Sequence, residues 1–189
     1  MKVVALGDSL TSGHRLPVEQ AYPALLEKRL AGEGLGFQVI NHGVSGDTTA
    51  GGVRRLDRAL AEKPDILIVE LGANDGLRGV PVAQVRSNLQ TIIEAAQKQG
   101  ITVLLCAMDA LPVNGWQYTL DFHNLYFDLA ERYKVPLVPF LLGGVLGNRE
   151  LMSADGVHPN REGAQVLADT IWPYLKPLVE AAATRRGTK

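Results

Sequence analysis

The stretch Val3-Val4-Ala5-Leu6-Gly7-Asp8-Ser9-Leu10 sets the reading of the whole chain. Its apolar residues do not alternate with polar ones, as expected for a strand covered on both faces. Gly7-Asp8 then ends the run with turn-forming residues. The same unit of apolar run, loop and helical pattern recurs along the sequence. The runs are Val3–Leu6, Phe37–Ile40, Ile66–Leu71, Ile101–Ala107 and Leu137–Phe140. Helices are predicted between and after them. One covers Ala21–Ala31, with Pro23 in its first turn, and another Thr49–Ala61. A third starts near Pro81 and stops at Gly100; Val82, Val85, Leu89, Ile92, Ile93 and Ala96 recur along it with helical spacing. The last two cover Leu120–Tyr133 and Arg161–Leu175.

Five strand–helix units in succession predict an open α/β sheet with helices on both faces, a three-layer α/β/α sandwich. Right-handed crossovers restrict the topology, and the flavodoxin-like parallel order 2-1-3-4-5 is the natural arrangement for five units. No composition shift marks a linker. Residues 1–178 therefore read as one domain, and residues 179–189 as a frayed tail.

Composition narrows the function classes. The chain has 189 residues, 46% hydrophobic and 21% charged, typical of a globular protein. A chain of this length buries about 70% of its unfolded surface and needs no disulfide staples. Nineteen Lys and Arg against twenty Asp and Glu leave a net charge of −1, with no basic stripe for nucleic acid. No apolar run approaches the ~18 residues of a membrane span. No secretory leader precedes the first strand, so the expected location is cytoplasmic as written, or periplasmic or secreted if a leader was removed. The single Cys106 sits in a predicted buried strand and reads as an inert packed thiol.

In open α/β sheets ligands bind beyond the carboxyl ends of the strands. The first three strands run into Gly7-Asp8-Ser9-Leu10, Asn41-His42-Gly43-Val44-Ser45-Gly46-Asp47-Thr48 and Gly72-Ala73-Asn74-Asp75-Gly76. The long loop after the fifth contains Asp155-Gly156-Val157-His158-Pro159-Asn160. Acyl transfer needs a nucleophile, a base and donors for the oxyanion. Ser9, at a strand-to-helix turn, suits the nucleophile, and equally suits a helix N-cap. Ser45 is its rival. His158, with Asp155 three residues before it, suits the base, and equally a Asp-Gly/His-Pro turn; His42 is the runner-up. Gly46 can offer a backbone N–H and Asn74 a side-chain amide, although each alone reads first as a turn residue. No G-x-S-x-G elbow occurs, and no His pair has metal-ligand spacing, so no metal site is expected.

Together Gly7-Asp8-Ser9-Leu10, Gly46, Asn74 and Asp155-x-x-His158 resemble the four blocks of the SGNH (GDSL) hydrolase superfamily. Val69-Glu70-Leu71-Gly72-Ala73-Asn74-Asp75-Gly76-Leu77-Arg78-Gly79 and Ser45-Gly46-Asp47-Thr48 are similar to its bacterial thioesterase/arylesterase/lysophospholipase branch. The likeness runs from Lys2 to Leu178. It implies Ser9 as nucleophile, His158 as base and then acid, and Asp155 as its orienting partner. It implies oxyanion donors at Ser9, Gly46 and Asn74, and no cofactor. The implied activity is hydrolysis of short- to medium-chain carboxylic esters: aryl esters, acyl thioesters and lysophospholipids. A carbohydrate deacetylase or acyltransferase on the same blocks is the alternative. A non-catalytic flavodoxin-like module is more remote, because Asp8 in the first loop would repel phosphate. The segment Met108-Asp109-Ala110-Leu111-Pro112-Val113-Asn114-Gly115-Trp116 departs from the branch at Asp109. Leu111, Val113 and Trp116 there are candidates for an apolar cleft wall, with loop packing as the other reading.

Overall fold

The computed structural model describes residues 1–187, with 186 and 187 described by backbone alone. Five strands, β1 (Lys2–Gly7), β2 (Gln38–Gly43), β3 (Ile66–Glu70), β4 (Thr102–Cys106) and β5 (Leu137–Val138), form one sheet. The order is β2-β1-β3-β4-β5 and every pairing is parallel, as the repeated unit predicts. Val3–Leu6 and all of β3 are buried, which explains why these runs carry no alternation.

Eight helices surround the sheet among the described residues: α1 (Ser9–Ser12), α2 (Tyr22–Gly32), α3 (Thr49–Arg54), α4 (Leu56–Ala61), α5 (Ala73–Arg78), α6 (Val82–Lys98), α7 (Trp116–Tyr133) and α8 (Arg161–Gly187). Helices α3, α6 and α7 pack in a row, and α2 pairs with α8. The apolar positions predicted along α6 are the ones it buries: Val85, Leu89, Ile92, Ile93 and Ala96.

The register decides where chemistry can collect. Gly7 lies level with Gly43 of β2 and with Glu70 of β3. The three strands therefore end at one height, and their loops open onto one edge. Gly7 must lack a side chain, because a Cβ there would stand 1.9 Å from Thr11 Oγ1 and 2.5 Å from Glu70 Oε2.

Several boundaries differ from the sequence reading. Strand β2 continues through Asn41-His42-Gly43 because β1 supplies ladder partners as far as Gly7. The helix expected over Thr49–Ala61 is two helices, broken at Arg55 (φ −111°, ψ 10°). The frayed tail expected from residue 179 is instead the end of α8, which runs through Pro173 and Pro177 to Gly187. Each proline removes one helical hydrogen bond. Leu175, Val179 and Ala182 are nevertheless buried in the core, and that packing carries the helix past both prolines. Residues 188 and 189 of the predicted tail lie outside the described residues.

Candidate active site

Ser9 is the first residue of α1, but it does not cap the helix. Asp8 does, its carboxylate accepting from the N–H of Leu10 at 3.0 Å. The Ser9 hydroxyl is thereby left for another partner, and Oγ lies 3.1 Å from Nε2 of His158. On the far side of the ring, Nδ1 lies 2.9 Å from Asp155 Oδ2. The structure thus joins residues 149 positions apart into one hydrogen-bonded chain.

The Asp155–His158 turn holds itself in shape. Asp155 Oδ1 accepts from the backbone N–H groups of His158 (3.0 Å) and Val157 (2.9 Å). Those bonds and the imidazole beside it hold the Asp155 carboxyl well below the usual carboxylate range. An ionised Asp155 fixes the proton on Nδ1 and leaves Nε2 to accept from the Ser9 hydroxyl. The turn is anchored by Ser153 N–H to His158 O at 2.7 Å and by Asn160 Nδ2 to Glu150 O at 2.8 Å.

The rival residues lie elsewhere. Ser45 Oγ is 3.0 Å from Ser12 Oγ and 3.3 Å from His14 Nδ1, and makes no hydrogen bond to His158 among the described residues. His42 stands 3.9 Å from Glu62, and burial lowers its pKa.

The two expected donors beside Ser9 are placed differently from one another. Asn74 lies in the first turn of α5 and lines the cleft with Ser9 and His158. Its Nδ2 donates to Asp8 Oδ2 at 3.1 Å and to the Asp47 carbonyl at 2.9 Å. Gly46 has φ +78°, a left-handed conformation that glycine adopts without strain, and Arg78 Nη2 holds its carbonyl at 2.9 Å. The cleft itself measures about 380 Å³. Leu77, Leu111, Leu142, Leu146 and Val157 give it an apolar wall, and Asp109 adds a carboxylate. Of the candidate wall residues only Leu111 is part of it. Val113 and Trp116 are each 73% exposed, Val113 in the 3₁₀ turn Pro112–Asn114 and Trp116 at the start of α7.

Several residues that shape the site were not singled out in the sequence. Glu70 is the one charged residue in the run Ile66–Leu71, which was the available signal. It is fully buried beneath the nucleophile turn, where Oε2 accepts from Asp8 N (3.2 Å), Thr11 N (3.2 Å) and Thr11 Oγ1 (2.6 Å). Burial, reinforced by Asp8, raises the Glu70 pKa well above the carboxylate range, and burial pushes Asp8 up to about 6. Arg55 ties three segments together: Nε to Asp47 at 2.6 Å, Nη2 to the Gly7 carbonyl at 2.6 Å, and Nη1 to the His42 carbonyl. Buried Asp75 joins the third-strand loop to the second through Thr49 N (2.8 Å) and Thr49 Oγ1 (2.6 Å). His14, which read as an ordinary loop residue, lies with its ring centroid 4.2 Å from that of His158. One ligand atom each from His14, Asp155 and His158 lie within 4.8 Å of one another, an arrangement that spacing along the chain could not reveal.

Comparison with known proteins identifies the family and the fold. Residues 5–166 match the GDSL-like Lipase/Acylhydrolase family. The chain is 43% identical over 178 residues to Esterase TesA of Pseudomonas aeruginosa, covering 94% of this chain and 89% of the relative. It is 37% identical over 179 residues to the Thioesterase 1/protease 1/lysophospholipase L1 of Escherichia coli (strain K12), covering 94% and 84%. A crystal structure of TesA superposes with a TM-score of 0.90 at 42% identity, over 94% of this chain and 99% of the other. The Gly-Asp-Ser-Leu turn, the sheet that carries it and these matches place the chain in the GDSL-like lipase/acylhydrolase family of ester hydrolases.

Proposed function

We propose that this ester hydrolase works through an acyl-Ser9 intermediate. The observation that carries the reading is the continuous Ser9–His158–Asp155 hydrogen-bond chain at the mouth of the apolar cleft. His158 Nε2 takes the hydroxyl proton as Ser9 Oγ attacks the ester carbonyl. Asp155 stabilises the resulting imidazolium and keeps the ring in place. The oxyanion is received by the N–H groups of Ser9 and Gly46 and by Asn74 Nδ2. Asn74 exchanges its 3.1 Å bond to Asp8 for the developing charge. One such donor is worth about 3–4 kcal/mol in the transition state. The imidazolium then protonates the departing alcohol or thiol. Water, deprotonated by the same nitrogen, attacks the acyl-enzyme and frees Ser9.

Short- to medium-chain esters, including aryl esters, thioesters and lysophospholipids, are the proposed substrates. The apolar wall suits an acyl chain, and the thioesterase/lysophospholipase name of the Escherichia relative supports thioester and lysophospholipid substrates. No helix among the described residues is long and apolar enough to cross a membrane.

A fluorophosphonate tests the nucleophile. It is expected to add one adduct to the wild-type protein, mapped to the peptide containing Ser9, with turnover lost in step. Ser9→Ala is expected to stay folded, unlabelled and inactive. An adduct on Ser45, or normal hydrolysis by Ser9→Ala, overturns the assignment.

A further inference from the structure

We propose that His14, Asp155 and His158 form a binding site for a zinc-class divalent cation, and that its occupancy switches the enzyme off. The inhibitory half rests on the assignment of His158 as base; the binding half does not.

The ligand set is the first reason. Two imidazoles and one carboxylate form a mixed nitrogen–oxygen set that suits Zn²⁺ and leaves a fourth position for water. The geometry is the second. The three ligand atoms already lie within 4.8 Å of one another, and the two rings are in contact at 4.2 Å, tilted by 35°. Ligand atoms around a tetrahedral zinc with bonds of ~2.0–2.1 Å stand about 3.3 Å apart, so closure requires movements of about 1.5 Å at most. The third reason is the unequal freedom of the partners. Asp155 and His158 are fixed to each other by the turn, which prepays most of the ordering. His14 follows α1 with its backbone N–H held by the Ser9 carbonyl at 3.1 Å, while its half-buried ring has the 3.3 Å contact of Nδ1 with Ser45 to give up or keep. No catalytic step uses His14.

The consequence follows whichever His158 nitrogen the metal takes. A nitrogen that coordinates must release any proton it holds. Coordination through Nε2 removes the lone pair that accepts the Ser9 proton. Coordination through Nδ1 replaces the hydrogen bond to Asp155 and leaves the ring's one proton on Nε2, which then has no lone pair for the Ser9 proton. Either way the imidazole stops working as a base.

The test separates binding from inhibition. Calorimetric titration of ZnCl₂ into the Ser9→Ala protein, in a non-chelating buffer, reads the site with no hydrolysis involved. One zinc per chain is expected, with affinity reduced by about tenfold or more in Ser9→Ala/His14→Ala, since one of three ligands is lost. His123→Ala is the control for the other exposed imidazole–carboxylate pair, with Asp109, and is expected to leave binding unchanged. In parallel, p-nitrophenyl acetate hydrolysis by wild-type enzyme is expected to fall at least fivefold at saturating Zn²⁺ and to recover with EDTA. In His14→Ala, measured against its own metal-free rate, the inhibition midpoint moves up by the same factor as the affinity. Mg²⁺, which prefers oxygen ligands, is expected to do neither. Zinc binding that His14→Ala does not weaken, or equal inhibition by Mg²⁺, overturns the site. Binding at His14 with undiminished hydrolysis overturns the inhibitory role and points back to the assignment of His158.

Discussion

Replacing Asp155 by Asn changes one atom facing the imidazole. The backbone bonds from Val157 and His158 to Oδ1 can survive, so the turn should keep its shape. The new amide, however, donates where the carboxylate accepted. The ring must then carry its proton on Nε2, and Nε2 can no longer accept from Ser9. Asp155→Asn should lower kcat by about 10³–10⁴-fold with little change in thermal midpoint. Equal kcat in the two proteins would show that Asp155 does not set the tautomer. The same geometry fixes the pH behaviour of this residue. Its folded-state pKa is depressed, so its stabilising contribution is present above the ordinary carboxylate value and disappears only in strongly acid solution.

The ends of β1 and β3 and the start of α1 are joined by a single buried carboxyl. Glu70 receives Asp8 N, Thr11 N and Thr11 Oγ1, and so holds the turn that presents Ser9. Its other oxygen, Oε1, is the buried side-chain atom without a hydrogen-bond partner among the described residues. Glu70→Ala would leave two buried N–H groups unsatisfied and should cost about 2–5 kcal/mol. Glu70→Gln keeps an acceptor for them and removes the titratable group. Its effect on pH dependence has a definite sign. Glu70 and Asp8 have folded pKa values raised above their unfolded ones, so the native state keeps protons that the unfolded state releases. Stability from this pair is greatest below the ordinary carboxylate range and falls as pH rises through about 6 and above. Urea unfolding midpoints at pH 5 and pH 8 should therefore differ less for Glu70→Gln than for wild type. Identical differences would show that the pair is not the source.

Across the whole molecule, α8 closes one layer of the sandwich and pairs with α2. Ending the chain at Leu178 removes Val179 and Ala182 from the core. Burial of a valine is worth about 2 kcal/mol. For a domain of this size that corresponds to a fall in Tm of about 4–8 °C. A calorimetric scan of the shortened chain checks this; an unchanged Tm would mean the last helical turns add nothing. The shortened enzyme should keep its activity, because the Asp155–His158 turn lies before α8 begins.

Sheet class and strand order were legible from residue order, whereas the choice of Ser9, His158 and Asp155 came from their resemblance to the family's blocks, since Ser45 and plain turn readings stood beside them. Unalternating apolar runs report burial on both faces, and the turn residues after each run fall where parallel strands must end. The short helices α1 and α5 were not legible, since each depends on a loop being held from outside, by Glu70 or by Asp47. The end of α8 was misread because local proline chemistry lost to core packing. Which serine meets which histidine, and the contact of His14 with His158, were settled by folding alone. Local sequence encodes what each segment prefers, whereas a distance between segments 149 residues apart exists only once the sheet register has aligned their ends.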